Sequence, residues 1–341
     1  MAKARATAPN TLAMDTDAGE GLIEVTDRIP TRPIREPLTE DMFAPLQPHE
    51  KKVLLWTELD SQHLQRVVDL MRPHPEVGLS VLYDAKDLDF LELFPWLKTF
   101  ETGAGFYTLE SIDGLRHLTQ LEELDFPATK KRFPLNILEH FPNLTRLGLD
   151  HLDSKTPDLD SVGACVGLRK LGLRSCKFDN LDFLQGLPEL YWLALNGGSC
   201  ADLSPITTLP SLSGLVLYQV KVPDITPITQ CVQLKHLDLE SVSTVTELPD
   251  LSNLNSLKSA SLKNLKNLTD ISPLLTAHEL TRVEIGFLNI DPDEFSILNE
   301  HSNLKYIWVS GKSLKWRNAV FSAAKTLQPD PQGEFLRELF S

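Results

Sequence analysis

The sequence lacks most of the features that announce a catalyst. It has no glycine-rich phosphate loop, no dinucleotide glycine fingerprint, no nucleophile elbow and no cysteine or histidine spacing of a zinc site. No enzyme activity, cofactor or metal is therefore expected. Long apolar runs are also missing: none reaches the roughly 18 residues of a membrane span. Met1 to Gly21 hold Lys3 and Arg5 but no apolar stretch after them, so no secretory signal is visible and the expected compartment is the cytoplasm. Positive charge is scarce, with 33 Lys and Arg against 47 Asp and Glu, a formal net charge of -14. A grip on a phosphate backbone needs a basic footprint, so nucleic acid is not the expected partner. Cysteine is rare too, at four residues, which suits a reducing compartment.

What is present is a repeat. Leu168-Arg-Lys-Leu171-Gly-Leu173, Leu190-Tyr-Trp-Leu193-Ala-Leu195, Leu212-Ser-Gly-Leu215-Val-Leu217 and Leu234-Lys-His-Leu237-Asp-Leu239 start 22 residues apart. The frame extends upstream through Leu144, Leu121 and Leu97, and downstream through Leu257, Leu280 and Leu304, making ten rows with a degenerate eleventh at Leu79 and Val81. A period of 22 to 24 residues carrying L-x-x-L-x-L is the sign of a leucine-rich repeat solenoid. Two periodicities meet in each row. Leu171 and Leu173 alternate with outward Lys170, Gly172 and Arg174, as a strand requires. Leu181, Leu184, Leu187 and Leu190 then step by three, the spacing of narrow 3₁₀ turns. A strand on one side and narrow turns on the other must curve, with the strands inside. The expected fold class is α/β: a horseshoe of parallel concave strands, convex 3₁₀ turns and terminal caps.

The chain divides accordingly. Residues 1–37, rich in Ala, Thr, Asp and Pro, read as a flexible segment. Residues 38–75 read as an N-terminal cap, with a strand at Val53 to Trp56 and a helix capped by Asp60 or Ser61 and stopped before Pro73. Residues 76–312 are the array, and residues 313–341 a C-terminal cap with one helix across Leu314 to Leu327 and a short one from Glu334 to Phe340. Trp56, Trp96 and Trp316 are expected to pack in the caps, and His117, His140, His278 and His301 to lie on the surface. Cys165 and Cys231 share a column three rows apart, too far for a disulfide at about 4.8 Å per row.

The turns Asp202-Leu-Ser-Pro205-Ile206, Asp224-Ile-Thr-Pro227-Ile228 and Asp270-Ile-Ser-Pro273-Leu274 resemble the short repeat of bacterial internalin-like leucine-rich repeat proteins, over about Glu76 to Lys312. The resemblance implies a concave face that binds another protein. One column departs from it: where that family places an inward Asn or Cys, this chain has Leu152, Cys176, Gly198, Val220, Val242, Leu265 and Leu288. The turn amides it would satisfy must find carbonyls or water.

Stacking the rows predicts the concave surface. One outward column runs Glu123, Arg146, Lys170, Trp192, Gly214, His236, Ser259, Arg282, Tyr306. The next runs Asp125, Gly148, Gly172, Ala194, Val216, Asp238, Ser261, Glu284, Trp308, and the third runs Pro127, Asp150, Arg174, Asn196, Tyr218, Glu240, Lys263, Gly286, Ser310. Gly148 and Gly172 suggest a bare floor, walled by Arg146, Lys170 and Trp192 on one side and Arg174, Asn196 and Tyr218 on the other. Trp192 and Tyr218 are the expected apolar anchors for a protein partner, with Arg146, Lys170 and Arg174 meeting its carboxylates. Lys170 lying over Trp192 and Arg174 pairing with Asp150 is the alternative. His236, Asp238 and Glu240 share one strand face, expected to be solvated and partner-facing, and Val216 completes the floor. Arg282, Tyr306 and Trp308 form a second candidate patch. The expected role is a monomeric, non-catalytic protein-binding module acting as an adaptor, regulatory or neutralising partner. A second reading is a bacterial effector exported through residues 1–37, and a third, with less in the sequence to carry it, an enzyme.

Overall fold

The computed structural model describes residues 30–103, 106–311 and 313–330. In chain order the strands are β1 (Thr31–Ile34), β2 (Lys52–Leu55), β3 (Gly78–Val81), β4 (Thr99–Thr102), β5 (Glu123–Asp125), β6 (Arg146–Asp150), β7 (Lys170–Arg174) and β8 (Lys177–Phe178). They continue with β9 (Trp192–Asn196), β10 (Ser199–Cys200), β11 (Gly214–Tyr218), β12 (His236–Glu240), β13 (Ser259–Lys263), β14 (Arg282–Gly286), β15 (Tyr306–Ser310) and β16 (Gln328–Pro329). The helices are α1 (Ser61–Met71) and α2 (Leu314–Ala323). All strands but β8 and β10 form one 14-stranded parallel sheet in chain order; β8 and β10 pair in a small parallel sheet beside it.

Register is set by the leucines. Leu171 pairs with Leu193, Leu193 with Leu215 and Leu215 with Leu237, so every inward side chain meets its counterpart one row on. These four and Leu173, Leu195, Leu217 and Leu239 are all at most 3% exposed. Slipping one residue would put the whole set on the solvent face, which is why the three outward columns emerge in the order that the period predicts.

The opposite side is built from 3₁₀ turns at Ser204–Thr208, Thr226–Gln230 and Ser272–Thr276. An aspartate starts each: Asp202 Oδ1 accepts from Ser204 N at 2.7 Å, Asp224 Oδ1 from Thr226 N at 2.8 Å and Asp270 Oδ1 from Ser272 N at 2.8 Å. The proline that follows supplies φ without needing a partner for an amide. The turn amides after the strands find carbonyls, as the missing Asn column requires: Lys177 N donates to Leu152 O, Ser199 N to Cys176 O and Lys221 N to Gly198 O. Just past each strand, His151, Ser175, Gly197, Gln219, Ser241, Asn264, Phe287 and Gly311 turn the chain with positive φ. That turn aims the amide of Ser175 at Asn196 O (2.7 Å) and of Gln219 at Glu240 O (2.9 Å), one row ahead.

The N-terminal end differs from expectation. Thr31–Ile34, assigned from sequence to the flexible segment, is the first strand of the sheet, paired in parallel with Lys52–Leu55. Its proline is tolerated because β1 is an edge strand with only one neighbour to bond. Arg32 anchors it, donating from Nε and Nη2 to Glu50 Oε1 and Oε2, both at 2.7 Å. Residues 1–29 of that segment lie outside the described residues. The helix α1 begins on Asp60, whose side chain accepts from His63 N, and covers the first rows with Val67, Val68 and Met71.

At the other end Ser313 caps α2 by accepting from Trp316 N, and β16 adds a last short strand to β15. The short helix expected from Glu334 to Phe340 lies outside the described residues. Trp96 and Trp316 pack against the core, but Trp56 is 49% exposed, a correction to its expected place in the cap. Alternation explains it: Val53 and Leu55 point inward, so Leu54 and Trp56 point out. His301 is the opposite correction. It is 8% exposed, with Nε2 3.0 Å from Ala277 O and Nδ1 accepting from Asn303 N and Leu304 N, so it ties two turns together inside the array. All four cysteines are free and buried, and burial pushes the thiols of Cys165, Cys200 and Cys231 up to about 11 and of Cys176 up to about 12. Such thiols carry little thiolate and serve as packing.

Candidate functional site

The predicted columns come together on the concave face. Lys170, Trp192, Gly214 and His236 are successive partners in one, Gly172, Ala194, Val216 and Asp238 in the second, and Arg174, Asn196, Tyr218 and Glu240 in the third. Side-chain geometry then divides the face into three zones.

The first zone, over β4 to β7, is closed on itself. Lys52 pairs with Glu101, and Arg146 Nη1 reaches Glu101 Oε1 at 3.2 Å and Glu123 Oε2 at 3.4 Å. Arg174 spans two strands to Asp125 Oδ1 (3.3 Å) and also pairs with Asp150 Oδ2 (3.5 Å). Burial pushes the Glu101 carboxyl up, but Lys52 and Arg146 outweigh it and hold it below its ordinary value. Arg146 and Arg174 are thus paired within the chain while their side chains stay 39% and 34% exposed, and the predicted Arg174–Asp150 pair is present.

The two floor glycines are not alike. Gly148 is buried, and a Cβ on it would collide with Asp125 Oδ1, so this half of the expected bare floor is filled by the Asp125–Arg174 pair. Gly172 has nothing within 4 Å of where a Cβ would stand. Gly148→Ala is expected to cost about 1–3 kcal/mol through overpacking, whereas Gly172→Ala should gain about 0.5–1 kcal/mol by stiffening a strand residue. Urea midpoints of the two variants measure the contrast; equal shifts would contradict it.

The second zone, over β7 to β11, is the open one. Gly172, Ala194 and Val216 form a floor that is half-exposed and uncharged. Trp192 lies flat across Gly214, where a Cβ would collide with the indole, so the ring rests on backbone at one edge of the floor. Tyr218 and Asn196 stand half-exposed at the other edge, with the Tyr218 hydroxyl accepting from Gln219 Nε2 at 2.9 Å. Lys170 sits near the Tyr191 ring, 6.0 Å from its centroid, and not over Trp192 as the alternative reading had it.

The third zone is polar and buried. Asp238 is 6% exposed, which corrects its expected place on a solvated strand. Lys263 causes this by reaching back over the face, with Nζ 2.9 Å from Glu240 Oε2, 3.7 Å from Asp238 Oδ2 and 3.8 Å from Glu284 Oε1. His236 Nδ1 is 2.7 Å from Ser259 Oγ. Burial raises the Asp238 and Glu284 carboxyls above their ordinary values despite Lys263. In the second candidate patch Arg282 is paired with Asp330 at 2.7 Å and lies 5.7 Å from the Tyr306 ring centroid. Trp308 remains 42% exposed.

Among the described residues no group of three or more His, Cys, Asp or Glu is placed to hold a metal ion, and no helix is long and apolar enough to cross a membrane. Sequence reasoning missed Trp56, which with half-exposed Leu54 gives the N-terminal end an apolar surface of its own; the alternation in Val53 to Trp56 was the signal for it.

No protein-family profile and no curated protein matches the sequence. Solved structures match the fold. An internalin from Listeria monocytogenes aligns with a TM-score of 0.55 and 18% identity over 82% of this chain and 78% of that one. TLR13, solved in complex with single-stranded RNA, aligns with a TM-score of 0.53 and 15% identity over 86% of this chain and 52% of that one. A leucine-rich repeat protein of Leptospira interrogans aligns at 0.42 with 18% identity, covering 84% of this chain and 92% of that one. With a single parallel sheet, a buried leucine ladder and 3₁₀ turns behind it, the chain is a leucine-rich repeat solenoid whose fold resembles that of the internalins.

Proposed function

We propose that the chain is a non-catalytic protein-binding module whose partner docks in the open zone of the concave face. The observation that carries this reading is the uncharged floor of Gly172, Ala194 and Val216 between two charged zones, with Trp192 and Tyr218 at its edges. A half-exposed Trp and Tyr flanking open backbone supply the rigid aromatic area on which protein interfaces concentrate their energy. Charged residues are absent from the middle of the patch and frequent at its rim, the arrangement that interfaces favour. Adaptor, regulatory or neutralising roles all fit such a surface. The TLR13 structure holds RNA, but here the basic footprint that a phosphate backbone needs is missing, because Arg146 and Arg174 are already engaged by carboxylates of the chain. Buried thiols held in the protonated form agree with a cytoplasmic setting.

Affinity capture from the native cell tests the proposal. Trp192→Ala and Gly172→Glu should leave folding intact yet each weaken capture of the natural partner by about 2 kcal/mol or more. Capture unchanged by both would move the site to Arg282, Tyr306 and Trp308 or off the concave face.

A further inference from the structure

Among the described residues the third zone carries more carboxylates than cations. Asp238, Glu240 and Glu284 converge on one cation, Lys263, while the neighbouring Arg282 is committed to Asp330. Ser261 gives its hydroxyl to Glu284 Oε2 at 3.4 Å, and Asp238 Oδ1, fully buried, accepts no hydrogen bond among the described residues. Two carboxylates in excess therefore sit in a cluster whose lysine is itself only 16% exposed. An uncompensated buried charge is destabilising, and contact with a partner of opposite charge relieves it. In the first zone three cations, Lys52, Arg146 and Arg174, face four carboxylates, Glu101, Glu123, Asp125 and Asp150, so the deficit of cations is larger in the third zone.

Resting on the docking surface proposed above, we propose that the partner presents a cationic side chain, an arginine or lysine, that seats against Glu240 and Glu284 beside Lys263. Charge complementarity selects the sign. The geometry selects a side chain over a bare metal ion: Lys263 already lies among the three carboxylates and Ser261 engages Glu284 Oε2, so Glu240, the most exposed of the three at 31%, offers a rim for a hydrogen-bonding cationic side chain and not a closed oxygen shell. The floor over β7 lies three strand spacings from β12, about 14 Å. An extended segment covers that in roughly four or five residues, so a small or apolar stretch on Gly172 and Val216 and a basic residue at its end belong to one continuous epitope.

The test uses the full chain and a phage-displayed library of random dodecapeptides, selected at pH 7 and low salt. Recovered binders should carry an Arg or Lys. For a synthetic version of the tightest one, Gln in place of that cation, and Glu240→Gln with Glu284→Gln in the protein, should each weaken Kd at least about tenfold, and should not add when combined. Binders without a cation, or full affinity in the double Gln variant while Gly172→Glu abolishes binding, would overturn the cationic epitope and leave the docking surface standing. Affinity that also survives Gly172→Glu, or a library that yields no binder, counts against the surface itself. Because the double Gln variant removes excess negative charge, it folds at least as readily as the parent, which far-UV circular dichroism verifies.

Discussion

Arg32→Ala is expected to lower stability by about 3–5 kcal/mol, the usual effect of stripping one partner from a buried ion pair. The side chains of Arg32 and Glu50 are only 12% and 10% exposed, and two hydrogen bonds of 2.7 Å join them. Arg32 Nη1 also donates to Ala44 O at 2.8 Å, so the guanidinium pins the loop that carries the chain from β1 to β2. Burial raises the Glu50 carboxyl, and Arg32, with the Gln47 amide, brings it below its ordinary value. Without Arg32 that carboxylate is buried and uncompensated. Arg32→Ala with Glu50→Ala should therefore recover part of the loss. Because each row touches only its neighbours, the damage should be confined to β1, β2 and α1, visible as local loss of amide-exchange protection while β9 to β12 stay closed. A loss under about 1 kcal/mol in urea would mean that the pair behaves as a surface contact and does not hold the N-terminal edge.

Leu193→Ala is expected to cost about 2–5 kcal/mol, through lost transfer energy and the cavity left behind. Leu193 is 0% exposed and sits between Leu171 and Leu215 in the middle of the stack, where neither cap can relax to fill the gap. Leu195→Ala, 3% exposed in the same strand, should behave alike. Since coupling runs row to row, a weak central row should split the denaturation into two transitions, one for each half of the array. Parent-like stability for both would mean that the inward and outward assignment is displaced by one residue, and with it the entire concave face.

The parts of this molecule set by periodicity were readable from the chain. A 22-residue period with alternating strands dictates which residues are neighbours, so Trp192 beside Gly214 and Asp238 beside Ser261 follow from counting. What long side chains do across those columns does not follow from counting. Gly148 and Gly172 are equivalent in the repeat, and differ because Arg174 reaches two strands back to Asp125 over one and leaves the other open. Asp238 looks solvent-facing until Lys263 folds over it. Thr31–Ile34 was hidden by prolines that disfavour a central strand but not an edge, and its anchor, Glu50, lies 18 residues away. His301 was hidden because a histidine at a turn gives no periodic signal, although its ring satisfies backbone groups in two turns.

The measurement that bears most directly on the concave docking surface is hydroxyl-radical footprinting of the chain alone and saturated with its captured partner, read residue by residue at the aromatic side chains. Trp192 and Tyr218 should lose reactivity on binding, while Tyr107 and Trp56, exposed but away from the floor, keep theirs. Protection of Tyr107 or Trp56 with Trp192 and Tyr218 unchanged would contradict the account.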